Sequence, residues 1–206
     1  YENFIKLDIS PKNPEALTPA DRKILEQWLN DNRECMELIR QGNQKPYCWR
    51  MYACGDEEIT EMISLLMPGL SELRHLARLF CWQAFTEASR GDFDNAFDTV
   101  FQSYSLGEHI RGQNTTLIEQ LVAIAVKALS SQTARALLAD DGDRIDSETL
   151  TGARRRFQQL LAEEDFSVDF SAEKLFMYDE AQRCFTHSRF GKSHLYLKRI
   201  NQIQPQ

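Results

Sequence analysis

Residues 77–106 read ARLFCWQAFTEASRGDFDNAFDTVFQSYSL, from Ala77 to Leu106. Ahead of Gly91, the residues Ala77, Phe80, Ala84, Phe85 and Ala88 recur at steps of three and four. Behind it Phe93, Ala96, Phe97, Val100, Phe101 and Tyr104 do the same. An α-helix turns once in about 3.6 residues, so each run lays its apolar residues along one face. Between the runs, Arg90-Gly91-Asp92 supplies a glycine that ends one helix and an aspartate that caps the next. Helices joined this tightly pack side by side and antiparallel. The stretch predicts a helical hairpin.

Working upstream, Leu70, Leu73 and Leu76 extend the first helix to Gly69–Arg90, and Leu79 and Trp82 give it a second apolar face, which makes it central. A helix is also expected over Thr18–Gln41, with Thr18 as N-cap, Pro19 at the first helical position and Asp21 near the positive end of the dipole. Its stripe is Leu25, Trp28, Leu29, Met36 and Ile39, ending at Gly42-Asn43. Residues 1–17 carry the turn signals Ser10-Pro11 and Asn13-Pro14 and read as an extended lead-in. From Asn43 to Glu58 the aromatics Tyr47, Trp49 and Tyr52 follow no stripe, so an irregular loop packing them under itself is expected, then a short helix over Asp56–Met67.

Downstream, the second hairpin helix runs over Phe93–Arg111, and a long helix over Thr115–Ala139 is apolar on most sides, which marks it as the most buried. After the break at Asp140-Asp141-Gly142-Asp143, Leu150, Ala153, Phe157, Leu160 and Leu161 define a helix over Ser147–Glu163. Arg154-Arg155-Arg156 spreads over about 200° of that helix and forms no focused patch. Ser171 caps a last helix through Thr186, built on Leu175, Phe176, Tyr178, Ala181 and Phe185. No segment alternates with the period of two that a surface strand shows.

The expected fold is therefore all-α: a single domain of six or seven antiparallel helices over residues 18–186, either TPR-like or an irregular α-α bundle, with a basic tail over 187–206. Composition agrees. In 206 residues there are 9 Gly and 6 Pro, falling largely at helix boundaries, which excludes collagen-like, low-complexity and turn-dense all-β chains. The net charge of −7 divides into −12 over residues 1–182 and +5 over Arg183–Gln206. The acidic body thus offers nucleic acid no footprint. The tail Arg183–Arg199, with Leu195, Phe190 and Tyr196 interleaved, suits an anionic partner or docking on the acidic body.

In Ala77–Leu106, Ala84 lets one helix approach the other, Gly91-Asp92-Phe93 makes the turn and Ala96 sits at the crossing, while Ala77, Phe80, Val100 and Leu106 are apolar. This pattern resembles a tetratricopeptide-type helical hairpin over about 30 of the 206 residues. Gln83, Glu87, Ser103 and Glu108 depart from it, standing where the motif prefers Leu, an aromatic, Ala and Pro. No second copy recurs 34 residues away, the period of that repeat. The resemblance implies antiparallel helix pairing and a repeat-like interaction domain.

Dedicated chemistry is sparse. Glu72 and His75 form one Glu-x-x-His pair where a di-metal bundle needs two, and there is no His-Glu-x-x-His or Cys-x-x-Cys. The acidic turn around Gly142 does not follow the order of an EF-hand loop. There is no Gly-x-Ser-x-Gly elbow and no phosphate-cradling glycine loop, so no catalytic residue, metal or cofactor is expected. Five cysteines leave one over from any pairing; Cys48 and Cys54 are close enough for a local disulfide in an exported protein.

The longest apolar run, Leu121–Leu129, is interrupted by Lys127 and is shorter than the about 20 residues that span a bilayer. A first residue that is Tyr reads as the start of a soluble part of a longer chain, for which an extracytoplasmic or membrane-tethered setting is favoured over a cytoplasmic one. Two functions follow as expectations: an interaction or scaffolding domain with a protein partner, or a helical enzyme or small-ligand binder whose pocket is lined by Trp49, Tyr52, His75, Trp82 and His109.

Overall fold

A computed structural model describes residues 17–48, 69–112, 115–163, 167–186 and 194–195, and over these the architecture is all-α, with seven α-helices. The lead-in up to residue 16, the expected helix over Asp56–Met67 and most of the tail lie outside the described residues. By packing, the chain divides into two compact units, residues 1–49, 69–113 and 118–167 in the first and 50–68, 114–117 and 168–206 in the second.

In the first unit, α1 (Pro19–Asp31) starts as expected: the Asp21 N–H donates to Thr18 Oγ1 at 3.2 Å, and Pro19 occupies the position whose N–H a helix leaves unused. The single helix expected over Thr18–Gln41 is in fact two. Asn32, at φ −101° and ψ 8°, leaves the helical region, and its side-chain Nδ2 donates to Trp28 O at 2.8 Å. A short amide side chain that competes for a helix carbonyl breaks the ladder there. The helix resumes as α2 (Arg33–Asn43), which carries Gly42 inside its last turn.

The hairpin is α3 (Leu70–Ser89) and α4 (Phe93–Arg111), the most extensively packed pair. At the turn, Gly91 has φ 80°, its N–H donates to Ala88 O at 2.9 Å, and the Asp92 N–H donates to Glu87 O at 3.0 Å. These two bonds satisfy carbonyls that the helix end would otherwise leave open. Asp92 then caps α4, with its Oδ2 accepting from Asn95 Nδ2 at 2.8 Å.

Among the described residues three apolar clusters hold the unit, and α3 contributes to all of them. Leu79, Phe80 and Trp82 meet Leu25, Trp28, Leu29 and Met36 of α1 and α2. Ala84, Phe85 and Ala88 meet the phenylalanine face of α4. Ala77 joins Leu106 and Ile110 of α4 with Ala123 and Val126 of α5 (Leu117–Asp141). Full burial of one such large side chain stabilises the fold by about 1.5–3 kcal/mol, so a helix with two buried faces anchors its neighbours.

The α5 helix does not match the expectation of burial on all sides. Its inner face carries Glu119, Gln120, Lys127, Ser130 and Thr133 beside Ala123, Val126, Ala134 and Leu137, while Ile118, Leu121, Ile124 and Leu138 are exposed. It comes very close to α4, since a Cβ added at Gly107 would stand 2.6 Å from Lys127 Cγ and 3.1 Å from Ala123 O. Lys127 Nζ donates to Glu108 Oε1 at 2.7 Å. A seam of small polar groups crosses the same interface. Ser130 Oγ lies 2.8 Å from Ser103 Oγ, and the Cys81 thiol bonds with Thr133 and Ser103.

By length and composition alone the stretch Leu117–Arg144 is long and apolar enough to cross a membrane, with mean hydropathy 1.3 over 18 residues that include Lys127, but 39% of that window is buried inside the molecule and a core helix can be as long and apolar. A 3₁₀ turn, Gly142–Arg144, leads to α6 (Ser147–Glu163), whose N-cap is Asp146. Of the three arginines on α6, Arg154 and Arg155 are exposed, whereas Arg156 pairs with Asp98 of α4 at 2.7 Å and lies over the Phe101 ring.

The second unit contains α7 (Ser171–Arg183). Ser171 is its first helical residue and not its cap; the Ser171 N–H donates to Asp169 Oδ1 at 2.9 Å. Leu175 and Tyr178, expected on a buried face, are exposed, and Phe176 is half-buried. The helix stops short of Thr186 because Phe185–Thr186 pairs antiparallel with His194–Leu195.

Candidate functional site

The polar residues that line an open groove in the first unit come from three helices. Glu26, Leu29 and Asn30 lie on α1, Arg33, Met36 and Arg40 on α2, and Gln83, Thr86 and Glu87 on α3, with Arg90 at its end; together they surround about 510 Å³. On α2 the steps Arg33, Met36, Arg40 are the three-and-four spacing of one helix face, and on α3 so are Gln83, Glu87 and Arg90. The apolar stripes of α1, α2 and α3 meet below, and these adjoining polar stripes form the walls.

Glu87 is bound within this wall. Gln83 Nε2 donates to its Oε1 at 2.7 Å and Thr99 Oγ1 donates to its Oε2 at 2.8 Å. Burial pushes its carboxyl up from the ordinary value, against the hydrogen bonds from Gln83 and Thr99 and the nearby charge of Arg40. Arg40 lies half-buried, 3.5 Å from Thr99 Oγ1 and over the Phe80 ring. Arg33 and Arg90 are exposed and form no ion pair among the described residues.

Of the residues the sequence singled out, Trp49 and Tyr52 lie outside the described residues. Trp82 is a core residue, 2% exposed, packed with α1 and α2. His75 is half-buried on α3, and burial together with the Arg78 charge moves its pKa down. His109 Nε2 lies 3.2 Å from Asn43 O, tying α4 to the end of α2. None of these three lines the groove. A second groove of about 350 Å³ between α4 and α6 includes Asp94, Asp98, Glu148 and Arg156 and also none of them.

The described residues contain no group of three His, Cys, Asp or Glu placed to hold a metal ion. The Cys81 thiol is pushed up to about 11 by burial, which makes it a poor nucleophile near neutral pH. Cys48 is exposed with a free thiol, and Cys54 lies outside the described residues.

The groove arginines were not found from sequence, but a signal for the site was present. All four departures from the tetratricopeptide-type pattern are polar partners in the structure: Gln83 and Glu87 line the groove, Ser103 bonds across to Ser130, and Glu108 holds Lys127. Comparison with protein-family models, with curated proteins and with solved structures finds no match to this chain.

Proposed function

We propose that this chain is a non-enzymatic interaction or scaffolding domain of a larger, membrane-tethered or otherwise multi-part protein, and that it takes a protein partner at the groove between α1, α2 and α3. The observation that carries this reading is the pair Arg33 and Arg90: two exposed guanidiniums beside an open groove, with no ion pair among the described residues. Arg33 opens α2 and Arg90 follows the last residue of α3, and the charge beside them is internally satisfied, since Glu87 is held by Gln83 and Thr99. A catalytic site built on the aromatic and histidine residues has less support, because Trp82 is committed to the core and His109 to a backbone carbonyl.

Two measurements test the reading. A photo-crosslinking residue placed at position 33 or 90 in the full chain is expected to capture one discrete protein in cells, and the same residue at position 154 is not. Native mass spectrometry with metal analysis of the purified protein is expected to show the bare chain mass. A stoichiometric metal or organic ligand would overturn an interaction role in favour of a helical enzyme or small-ligand binder.

A further inference from the structure

Resting on the interaction reading, we infer that the groove takes an acidic peptide segment of the partner, whose separated carboxylates engage Arg33 and Arg90 and whose intervening apolar side chain packs toward Leu29 and Met36. Three arginines and two glutamates line the groove in a chain whose net charge is −7, and since Arg40 also pairs with Glu37 at 3.9 Å, Arg33 and Arg90 are the cations the groove offers a partner. One of the glutamates, Glu87, already accepts from Gln83 on one oxygen and from Thr99 on the other, so its carboxylate is engaged within the wall.

Spacing argues for a segment with several acids over a single small anion. Arg33 and Arg40 are two turns apart on α2, about 10 Å along the axis, and Arg90 stands at the end of a different helix. An extended segment can meet these positions with separate carboxylates, and competition by phosphate and citrate distinguishes it from a single small anion. Guanidiniums favour carboxylates because their forked donors match the two oxygens. Between the charged positions the floor is closed by Leu29 and Met36, 7% and 3% exposed, so the apolar residue of an acid–apolar–acid segment would lie over them and not insert between them.

The test is fluorescence anisotropy on the full chain, with fluorescein-labelled peptides Glu-Glu-Leu-Glu-Glu, Glu-Glu-Gly-Glu-Glu and Lys-Lys-Leu-Lys-Lys as probes and inorganic phosphate and citrate as competitors. The leucine-containing acidic peptide is expected to bind best and to weaken with added salt, as exposed charge pairs do. The double variant Arg33→Glu with Arg90→Glu is expected to weaken it at least tenfold, and Arg33→Gln with Arg90→Gln by a smaller factor. The variant Arg154→Glu with Arg155→Glu, on the exposed face of α6, is expected to leave it unchanged; circular dichroism checks that each variant keeps its helices.

No binding at millimolar peptide, or an equal loss in the α6 variant, would overturn the inference. So would competition by phosphate or citrate as strong as that of unlabelled peptide, which marks a small-anion site. If the peptides fail while crosslinks from positions 33 and 90 still capture a protein, the acidic class is wrong and the interaction role stands.

Discussion

At Gly107 the space is taken by a neighbouring helix. The backbone there is ordinary helix, so the need for glycine comes from the Ala123 carbonyl and the Lys127 stem, which sit where a methyl group would go. The stem can swing aside, but the carbonyl belongs to the α5 backbone. Gly107→Ala is therefore expected to destabilise the fold by about 1–3 kcal/mol, read as a lower urea midpoint with an unchanged slope. Glu87 gives a second expectation, in pH. Its folded pKa is raised above 4.5, so its contribution is fully present below that value and is lost as pH rises through the folded value. Urea unfolding from about pH 4 to pH 7 should show wild type losing stability relative to Glu87→Gln as pH rises. A difference that stays level, or grows in favour of wild type, contradicts the burial assigned to this carboxylate.

Helix ends and breaks divide what the sequence discloses from what it hides. Spacing alone places α3, α4 and α6 within a residue or two, because their stripes are long and their boundary residues, Gly91, Asp92 and Ser147, have strong local preferences. The break at Asn32 is invisible to spacing, since the stripe from Leu25 to Ile39 keeps its period across a residue whose side chain takes over a backbone acceptor. The start of α7 is hidden for a related reason: Ser171 has the chemistry of a cap, but the N-cap position falls on Phe170, whose side chain makes no capping bond, and Asp169 just outside it accepts the Ser171 N–H. At α6, Asp146 Oδ1 accepts the N–H groups of Thr149 and Glu148 at 2.9 Å and its Oδ2 accepts the Thr149 hydroxyl at 2.8 Å, and these bonds, those from Thr149 foremost, hold its carboxyl below the ordinary value. That stabilisation is present above pH 3.8 and is lost as pH falls through the depressed folded value. Asp146→Ala should lower the Tm by a few degrees at neutral pH, and the gap to wild type should close on acidification.

For the whole molecule, the helical class and the central place of α3 were legible because two apolar faces on one helix require neighbours on both sides. The faces of α5 were not legible. A helix apolar on most sides gives no indication of which side meets its neighbours, and here the side bearing Glu119, Lys127, Ser130 and Thr133 is the buried one. The groove was hidden as well, since Arg33, Arg40 and Arg90 are distant in sequence and each resembles ordinary surface charge. The buried seam of Cys81, Ser103, Ser130 and Thr133 has an effect on alignment. A greasy interface tolerates sliding by a turn at modest cost, whereas hydroxyls that bond across helices must find the same partners or go unmet. The seam works as a key in a keyway: α5 can seat against the hairpin at one height only, and the walls of the groove on α3 inherit that fixed position.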